Sequence, residues 1–303
     1  MKRILLCGSN GLLGQRLALM LGGGTKFEVL NTSHHRSFLL EPRLFDYTQL
    51  DITKKGDVKS LASSFQPDVI INTAGATNVD WCESHRDEAW KANVVGVENL
   101  IEAARKARSK LIHVSTDYVF DGRHGPYKED DAPNPISYYG KTKLAAENAI
   151  RIAGIPFTIV RTIVLYGNTL GMRKNFALWV LESLQSHQKI RCAVDQIGNP
   201  TFVGDLACAV LRIFELEREG LYHICGSETV SRFDFAKNVA NVFHLDASLI
   251  QPVKTSELMQ PAPRPPVTGF VTAKAEEELG WKPMDTTQGL TKLKQELLDD
   301  RKN

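Results

Sequence analysis

Two residues four positions apart, Tyr139 and Lys143, carry the side chains in this sequence that best fit acid–base chemistry. Within a helix this spacing places both side chains on one face, so both can point at one ligand. A tyrosine has an ordinary pKa of about 10 and transfers protons poorly unless that pKa is lowered. A neighbouring ammonium stabilises the phenolate, so we expect Lys143 to lower the pKa of Tyr139. The pair predicts proton transfer to or from a bound substrate.

A segment that carries hydroxyl groups, Ser115-Thr116-Asp117-Tyr118, stands at the end of a predicted strand. A hydroxyl there can hydrogen-bond the carbonyl oxygen of a substrate while Tyr139 donates a proton. The YxxxK pattern alone is also found on exposed amphipathic helices. It becomes specific here because a glycine loop, a strand-end hydroxyl and YxxxK follow one another in this order.

The glycine loop, residues 8–14, has GxxGxxG spacing and lies between a predicted strand and a predicted helix. Gly8 permits a tight turn, Gly11 lets the backbone approach a pyrophosphate, and Gly14 lets the helix pack closely on the strand. Amide groups at the start of the helix attract phosphates. We therefore predict a dinucleotide site that includes Gly8, Asn10, Gly11, Leu12, Leu13 and Gly14.

The residues after the second predicted strand indicate which dinucleotide binds. NAD-binding sheets usually carry an Asp or Glu there, about 20 residues beyond the glycines. This chain reads Leu30-Asn31-Thr32-Ser33-His34-His35-Arg36, without a carboxylate. Ser33 and Arg36 could instead hold a 2′-phosphate, so NADP(H) is the expected cofactor and NAD(H) the alternative. Asp51 and Ile52, after the next apolar segment, are predicted to contact the adenine.

Short β-rich runs alternate with helical patterns in the first half of the chain. The predicted buried strands are 4–7, 27–30, 69–72, 111–115 and 157–161, and the predicted helices are 12–21, 87–107 and 138–153. This alternation predicts an α/β fold with a doubly wound parallel sheet of the Rossmann type. Ligands of such sheets bind at the carboxyl ends of the strands, where the glycine loop and Thr116 lie.

The alternation weakens beyond residue 163, where prolines and glycines break the pattern into shorter pieces. We predict that residues 1–163 form the nucleotide-binding domain and that about 201–219 return to it as a helix. Residues 164–200 and 220–303 would form a smaller substrate-binding lobe. Phe176 and Trp179, at helical spacing, are expected in its core, and Ser231 is expected to cap a helix.

The overall composition argues against several classes of function. The 303 residues carry 37 basic and 35 acidic side chains, a net charge of +2, which gives no electrostatic footprint for nucleic acid. No apolar run approaches the roughly 20 residues of a membrane span, and the N-terminal run is too short for a secretory signal. The cysteines and histidines show no metal-ligand spacing, so no metal site is predicted and a cytoplasmic location is expected.

Several motifs together resemble one family of enzymes. Besides GxxGxxG and YGKTKLAAE, which begins at Tyr139, the chain carries Asn72-Thr73-Ala74-Gly75-Ala76, STDYVFDG from Ser115, DQIGNPT from Asp195, and Arg264-Pro265. They are similar to the extended short-chain dehydrogenases/reductases, and within them to the dTDP-4-dehydrorhamnose reductase branch. The resemblance spans nearly the whole chain, and STDYVFDG and DQxGxPT are its most branch-specific parts.

The resemblance implies roles for particular residues. Thr116, Tyr139 and Lys143 would be the catalytic set, with Tyr139 and Lys143 also contacting the cofactor. Further cofactor contacts would come from Ala74, Gly75, Ala76 and Asn93. Substrate contacts would come from Val79, Asp117, Tyr118, Asn175, Gln196 and Arg264. The implied reaction is hydride transfer from NADPH to the C4 carbonyl of a 4-keto-6-deoxy nucleotide sugar, dTDP-4-dehydrorhamnose above all, in a protein that could form a homodimer.

The chain departs from the family pattern at three places. Arg161-Thr162-Ile163-Val164 replaces an RTSW-type segment, so an aromatic contact to the ligand is lost. Gln15-Arg16 replaces acidic residues that bind a dimer-bridging metal in some members, and Trp81-Cys82 replaces a more polar pair. The first change puts the identity of the substrate in doubt, and the second argues against the bridging metal site.

Two alternatives therefore stay open. One is another nucleotide-sugar enzyme of the superfamily, an epimerase or a dehydratase, although Tyr118 stands where the dehydratases carry Glu. The other is a non-catalytic subunit resembling the regulatory subunit of methionine adenosyltransferase. The intact Thr116, Tyr139 and Lys143 set and the DQxGxPT motif favour an active enzyme.

Overall fold

A computed structural model describes residues 1–22, 26–41, 44–171 and 174–300 of the chain. Its strands are β1 (Lys2–Cys7), β2 (Phe27–Ser33), β3 (Asp46–Gln49), β4 (Val69–Asn72), β5 (Lys110–Thr116), β6 (Phe157–Thr162), β7 (Leu165–Tyr166), β8 (Ile190–Ala193), β9 (Ile197–Gly198), β10 (Thr201–Phe202), β11 (Gly220–His223), β12 (Val230–Ser231) and β13 (Ile250–Val253).

The helices surround these strands. They are α1 (Leu12–Gly22), α2 (Lys55–Phe65), α3 (Val79–Ser84), α4 (Arg86–Trp90), α5 (Gly96–Ala107), α6 (Tyr138–Arg151), α7 (Phe176–Gln185), α8 (Val203–Glu215), α9 (Arg232–Phe243), α10 (Ala273–Leu279) and α11 (Thr286–Asp300). A π-helical turn, Lys91–Val95, joins α4 to α5, and short 3₁₀ turns lie at Asp117–Val119, Ala247–Leu249 and Thr255–Glu257.

Seven parallel strands form the central sheet in the order β11-β6-β5-β4-β1-β2-β3. The chain builds outward from β1 to β3 and then crosses to β4 on the other side of β1, so the strand order reverses between β1 and β4. In open α/β sheets the crevice at such a reversal is the usual ligand site. The predicted α/β, doubly wound parallel fold is thereby confirmed.

Both faces of the sheet are covered, which explains why its central strands are continuously apolar. Alternate side chains of a strand point to opposite faces. Accordingly Ile4 and Leu6 of β1 join the core formed with α1 and α8, whereas Leu5 and Cys7 join the core formed with α2, α5 and α6. All four side chains are fully buried.

The structure adds elements that the sequence pattern did not indicate. The edge strand β3 and helix α2 were not predicted, and the predicted helix 87–107 is interrupted by the π-helical turn. Strand β11, residues 220–223, pairs with β6 and extends the central sheet. The division into domain and lobe stays a prediction.

The remainder of the second half packs beside the carboxyl ends of the sheet strands. Short pairs, β7 with β10, β9 with β12, and β8 with β13, hold its loops. Helix α9 packs against α7 and α11, and the Oγ of Ser231 accepts a hydrogen bond from the amide of Asp234, which confirms Ser231 as the cap of α9.

Candidate active site

The glycine loop connects β1 to α1 at the reversal of strand order. Gly8 has φ of +84°, and a Cβ on it would lie 2.5 Å from the amide nitrogen of Ala74. A Cβ on Gly14 would lie 2.1 Å from the carbonyl oxygen of Gly8. The loop therefore needs glycine at both positions, and it brings the start of α1 directly beside the segment that follows β4. A helix start exposed in this way suits a pyrophosphate.

Asn10 ties this loop to the segment after β2. Its buried amide donates to the Ser33 hydroxyl at 3.0 Å and to the Ser37 carbonyl at 2.9 Å, and its oxygen accepts from the Leu39 amide at 3.0 Å. Asn10 therefore holds the segment after β2 against the glycine loop and so fixes the shape of the dinucleotide site.

Ser33 is buried, and its hydroxyl has three internal partners: Asn10, the His35 amide and the Tyr47 hydroxyl. The expected bond from Ser33 to a 2′-phosphate would have to replace one of them, so this residue fits a loop-shaping role better. Arg36 is exposed and remains suited to a phosphate, and the rings of His34 and His35, tilted by 38° with their centres 3.9 Å apart, precede it in the chain.

Asp51 and Ile52 follow β3, two strands away from the crevice. One Asp51 carboxylate oxygen accepts from the amide and the hydroxyl of Thr53. The Ile52 side chain packs against Gly96, and its carbonyl accepts from Asn99. Both positions lie at the carboxyl edge of the sheet, and their contact with an adenine stays a prediction.

Asn93 lies in the π-helical turn and connects two parts of the site. Its oxygen accepts from the Ala76 amide at 2.7 Å, and its nitrogen donates to the Ala76 carbonyl and to the Thr142 hydroxyl of α6. A Cβ on Gly75 would lie 2.8 Å from that oxygen. The π-helical turn is thus the local feature that lets one amide hold the Ala74–Ala76 loop against α6.

Thr116 and Tyr139 meet where β5 ends and α6 begins. Ser137 caps α6, which starts one residue before Tyr139. Thr116 faces Tyr139 closely enough to lower the pKa of its phenol. The Thr116 hydroxyl donates to the Asp117 carboxylate at 3.0 Å and accepts from the Tyr118 amide at 3.2 Å. Tyr139 is 7% exposed, so a substrate carbonyl would reach it in a dry environment.

The expectation that Lys143 lowers the pKa of Tyr139 is wrong for this structure. Burial raises the pKa of the Tyr139 phenol, and the hydrogen bond with Thr116 only partly offsets this. Lys143 has other partners: its Nζ donates to the Val114 carbonyl at 2.7 Å and lies 3.3 Å from Nε2 of His113. Burial lowers the pKa of Lys143 to about 8, against the attraction of Glu147.

A cavity of about 550 Å³ opens beside Tyr118, next to the catalytic end of the sheet. Four predicted substrate contacts line it: Val79, Tyr118, Gln196 and Arg264. Asp117 lines an adjoining smaller pocket with Thr268, whose hydroxyl donates to its carboxylate at 2.6 Å. Burial raises the pKa of Asp117.

The cavity is also lined by residues that the sequence did not indicate as part of a binding site. Phe176 and Trp179 were expected in the core. Phe176 does pack against the core and also lines the cavity, whereas Trp179 lines the cavity and is 38% exposed. Arg191 and Arg232 were not singled out; the Arg232 guanidinium lies over the Phe176 ring, 5.2 Å from its centre. Their recognition needs the fold, because β8, α7 and α9 bring them together from distant parts of the sequence.

Arg264 lines the cavity, and bonds to other residues hold its side chain in place. Its guanidinium pairs with Asp80 of α3 at 2.8 Å and donates to the Ala262 carbonyl. Gln196 similarly donates to Thr255 and to Gln260, which line up the loop before Arg264. The positions of both side chains are therefore set by bonds within the protein.

Asn175 does not fit its expected role. It caps α7 by accepting from the Leu178 amide at 3.3 Å, and its nitrogen donates to the Gly167 carbonyl at 2.7 Å. These bonds use both ends of its amide, and the cavity is lined by its neighbour Phe176 instead.

Val164 replaces the aromatic residue that the resemblance would place after β6. Its φ is +42°, a conformation that β-branched residues rarely adopt. The Thr201 amide donates to the Val164 carbonyl, and the Thr201 hydroxyl donates to the Ile163 carbonyl at 2.6 Å. The DQIGNPT segment therefore holds this strained turn, which lines the pocket beside Asp117.

Two further properties concern the described ranges 1–22, 26–41, 44–171 and 174–300. They contain no group of three His, Cys, Asp or Glu side chains arranged to hold a metal ion. No helix in them is long and apolar enough to cross a membrane. Arg16, beside Gln15 at the start of α1, pairs with Glu296 of α11.

Known proteins are similar to this chain over nearly its whole length. The family model of the RmlD substrate binding domain matches residues 1–298. The dTDP-4-dehydrorhamnose reductase of Aggregatibacter actinomycetemcomitans is 34% identical over 97% of this chain and 99% of its own. The methionine adenosyltransferase 2 subunit beta of Xenopus tropicalis is 33% identical over 87% of this chain and 78% of its own.

Solved structures agree with these relatives. A dTDP-4-dehydrorhamnose reductase from Clostridium acetobutylicum superposes with a TM-score of 0.88 at 32% identity, covering 98% of this chain and 99% of that one. The dTDP-4-dehydrorhamnose reductase of Bacillus anthracis, solved in complex with NADP, gives a TM-score of 0.84 at 30% identity, covering 98% and 100%.

Proposed function

This chain belongs to the RmlD substrate binding domain family, and we propose that it catalyses the NADPH-dependent reduction of dTDP-4-dehydrorhamnose to dTDP-L-rhamnose. The observation that carries the proposal is the meeting of Thr116 and Tyr139, with Lys143 one turn further along α6, between the glycine loop and the 550 Å³ cavity. Such a site can bind a dinucleotide and a sugar nucleotide side by side, so that the nicotinamide meets one carbonyl group of the sugar.

The residues present fit a nicotinamide dinucleotide. The glycine loop has no room for Cβ atoms at Gly8 and Gly14, so its backbone can come close to a pyrophosphate. The hydroxyl of Thr162, which lies beside Thr116 in the sheet, is buried without a hydrogen-bond partner among the described residues. Residues 8–14 would hold the pyrophosphate, Arg36 the 2′-phosphate, and Lys143 the nicotinamide ribose. NADPH, when bound, supplies the hydride.

The protein groups handle the proton and orient the substrate. Tyr139 donates its phenolic proton to the C4 oxygen as negative charge develops there. Thr116 hydrogen-bonds the same oxygen, for which its hydroxyl turns away from Asp117. Lys143, in its ammonium form, stabilises the phenolate left on Tyr139. The raised pKa of Tyr139 keeps it protonated, and so ready to donate, at neutral pH.

The cavity supplies groups that match the substrate. Arg191, Arg232 and Arg264 offer guanidinium groups to a diphosphate. Trp179 and Phe176 offer aromatic faces to the thymine ring. Tyr118 and the adjoining Asp117 would contact the sugar.

The test is nicotinamide absorbance over time with purified protein, NADPH or NADH, and dTDP-4-dehydrorhamnose generated in situ. We expect NADPH oxidation that falls about 10²–10⁴-fold in Tyr139→Phe and stays near the wild-type rate in the neighbouring control Tyr138→Phe. Arg36→Ala should weaken NADPH about tenfold and leave NADH unchanged. No oxidation despite NADPH binding would remove the proposal.

The regulatory-subunit reading is supported by the 33% identity to a methionine adenosyltransferase 2 subunit beta. It predicts a stoichiometric protein partner and no turnover of the keto sugar. An epimerase of the same superfamily would convert the sugar without net consumption of NADPH. The absorbance assay and a pull-down together separate the three functions.

Three further assignments stand as parts of this proposal. The sheet and the lobe act as cofactor and substrate domains, the chain assembles as a homodimer, and it works in the cytoplasm. The cytoplasmic location is supported by its five free cysteines, four of them buried, which fit a reducing compartment. Light scattering and fractionation of cells test the last two.

A further inference from the structure

Three buried side chains form a line behind the active site. Asn72 at the end of β4, His113 in β5 and Lys143 in α6 are 0%, 1% and 5% exposed. The Asn72 nitrogen lies 3.0 Å from Nδ1 of His113, and Nε2 of His113 lies 3.3 Å from Nζ of Lys143.

The orientation of the Asn72 amide is fixed by the backbone. Its oxygen accepts from the Ala74 amide at 3.0 Å, so its nitrogen must be the atom that faces His113. An amide nitrogen only donates, and Nδ1 of His113 must therefore accept. Burial holds the pKa of His113 well below its ordinary value, and an ammonium at Lys143 would lower it further. A neutral imidazole carries one proton, which leaves that proton on Nε2.

This tautomer presents an N–H to Lys143. An ammonium has only donors, so the contact at 3.3 Å is favourable when Nζ is an uncharged amine whose lone pair accepts from Nε2. The remaining bond of Nζ, to the Val114 carbonyl, suits either form. The facing carboxylate, Glu147 on α6, favours the ammonium, but both of its oxygens are bonded by Arg161 of β6.

We propose that His113 is a positioning residue, held as its Nε2–H tautomer by the Asn72 amide, that fixes the Lys143 side chain and favours its uncharged form in the enzyme without ligands. Contact with His113 lowers the proton affinity of Lys143, and a ligand that displaces Lys143 from His113 restores it, so the positive charge beside Tyr139 is favoured in the loaded site. The inference rests on the proposed function for the role of Lys143 in catalysis.

The first test uses the unmodified protein without cofactor. ¹⁵N NMR of labelled histidine separates the two neutral tautomers, and we expect His113 to show an unprotonated Nδ1 and a protonated Nε2. A protonated Nδ1, or an imidazolium at pH 7, overturns the proposal. This measurement involves no variant and no activity, so it is independent of the reaction that the enzyme catalyses.

The second test measures the pKa of Lys143 by NMR of ¹³Cε-labelled lysine, assigned with Lys143→Met. His113→Gln can turn its amide oxygen towards Nζ, and Asn72→Asp lets Nδ1 carry the proton so that Nε2 accepts. Each should increase the proton affinity of Lys143 at least tenfold. Asn99→Asp, at a buried asparagine that bonds the Ile52 carbonyl, is the control for a new buried carboxylate. The exposed Lys141 of the same helix is the internal reference.

Kinetics complete the test. If the reduction is confirmed, His113→Gln should move the pH profile of kcat by one unit or more and change KM little. An unchanged Lys143 pKa in both variants overturns the role of His113, whatever the activity. An absent reduction with the expected tautomer and pKa shifts removes the proposed function and leaves the inference intact.

Discussion

Arg161 and Glu147 form a bidentate ion pair in which neither side chain is more than 1% exposed. The same Glu147 accepts from the Ser115 hydroxyl, so the pair joins β6, β5 and α6 directly behind the catalytic residues. A buried charge that loses its partner is costly, because no water replaces it.

Glu147→Gln should therefore lower the free energy of unfolding by about 3–5 kcal/mol, since it leaves the Arg161 guanidinium short of a charge. Urea unfolding followed by circular dichroism measures this. The control is Glu102→Gln, which removes an exposed ion pair with Lys55 and should leave the free energy of unfolding nearly unchanged. Equal losses in the two variants would contradict a special role for the buried pair.

Gly14→Ala should weaken cofactor binding at least about tenfold, because the new Cβ would lie 2.1 Å from the Gly8 carbonyl oxygen and force α1 away from the loop. Fluorescence titration with NADPH is the measurement. Gly56 in α2 is the matched control: a Cβ there meets nothing within 4 Å. Gly56→Ala should keep the affinity and change stability by no more than about 1 kcal/mol.

Trp179→Ala should raise KM for the sugar nucleotide by about tenfold or more and leave kcat nearly unchanged, since stacking on a base contributes about 1–3 kcal/mol. Steady-state kinetics with varied sugar nucleotide tests this. Trp90→Ala removes a similarly exposed tryptophan of α4, 42% against 38%, outside the cavity lining and should leave KM unchanged. A rise in KM for both variants would indicate a general loss of structure.

Lys143→Met should abolish the reaction and yet stabilise the fold at neutral pH. Burial lowers the pKa of Lys143 from 10.5 to about 8, so protonation costs the folded state up to about 3 kcal/mol at 1.36 kcal/mol per pKa unit. The unfolded chain binds more protons between about pH 8 and 10.5, so wild-type stability gains on the variant as pH rises through that window. Thermal unfolding from pH 7 to 10.5 measures the difference. A constant difference would contradict the lowered pKa.

The parts of the site that could be predicted from the sequence lie on single elements. Gly8, Gly11 and Gly14 stand at one strand–helix junction, and Tyr139 and Lys143 stand one turn apart on α6, so local spacing suffices. The same applies to the buried strands, whose apolar runs reflect helices on both faces of the sheet.

The parts that could not be predicted depend on packing between distant elements. His113 acquires its role from Asn72 in a neighbouring strand, and Arg232 meets Phe176 only because α7 and α9 pack together. Strand β3 is polar and half-exposed at the sheet edge, which hides it from an apolar pattern. A tryptophan at helical spacing has no local feature that separates a core position from the wall of a cavity.

The bonds of Asn10 to Ser33, Ser37 and Leu39 have a consequence for redesign of cofactor choice. Exchanging residues 33–36 to favour NADH would alter the segment after β2. That segment also supports the glycine loop that would hold the pyrophosphate. Substitutions at Ser33 should then impair both dinucleotides together, whereas Arg36, which extends from the loop without supporting it, can be changed alone. At Arg36, the choice between NADPH and NADH can thus be changed without changing the overall affinity for dinucleotides. At Ser33, three residues earlier, the two properties change together.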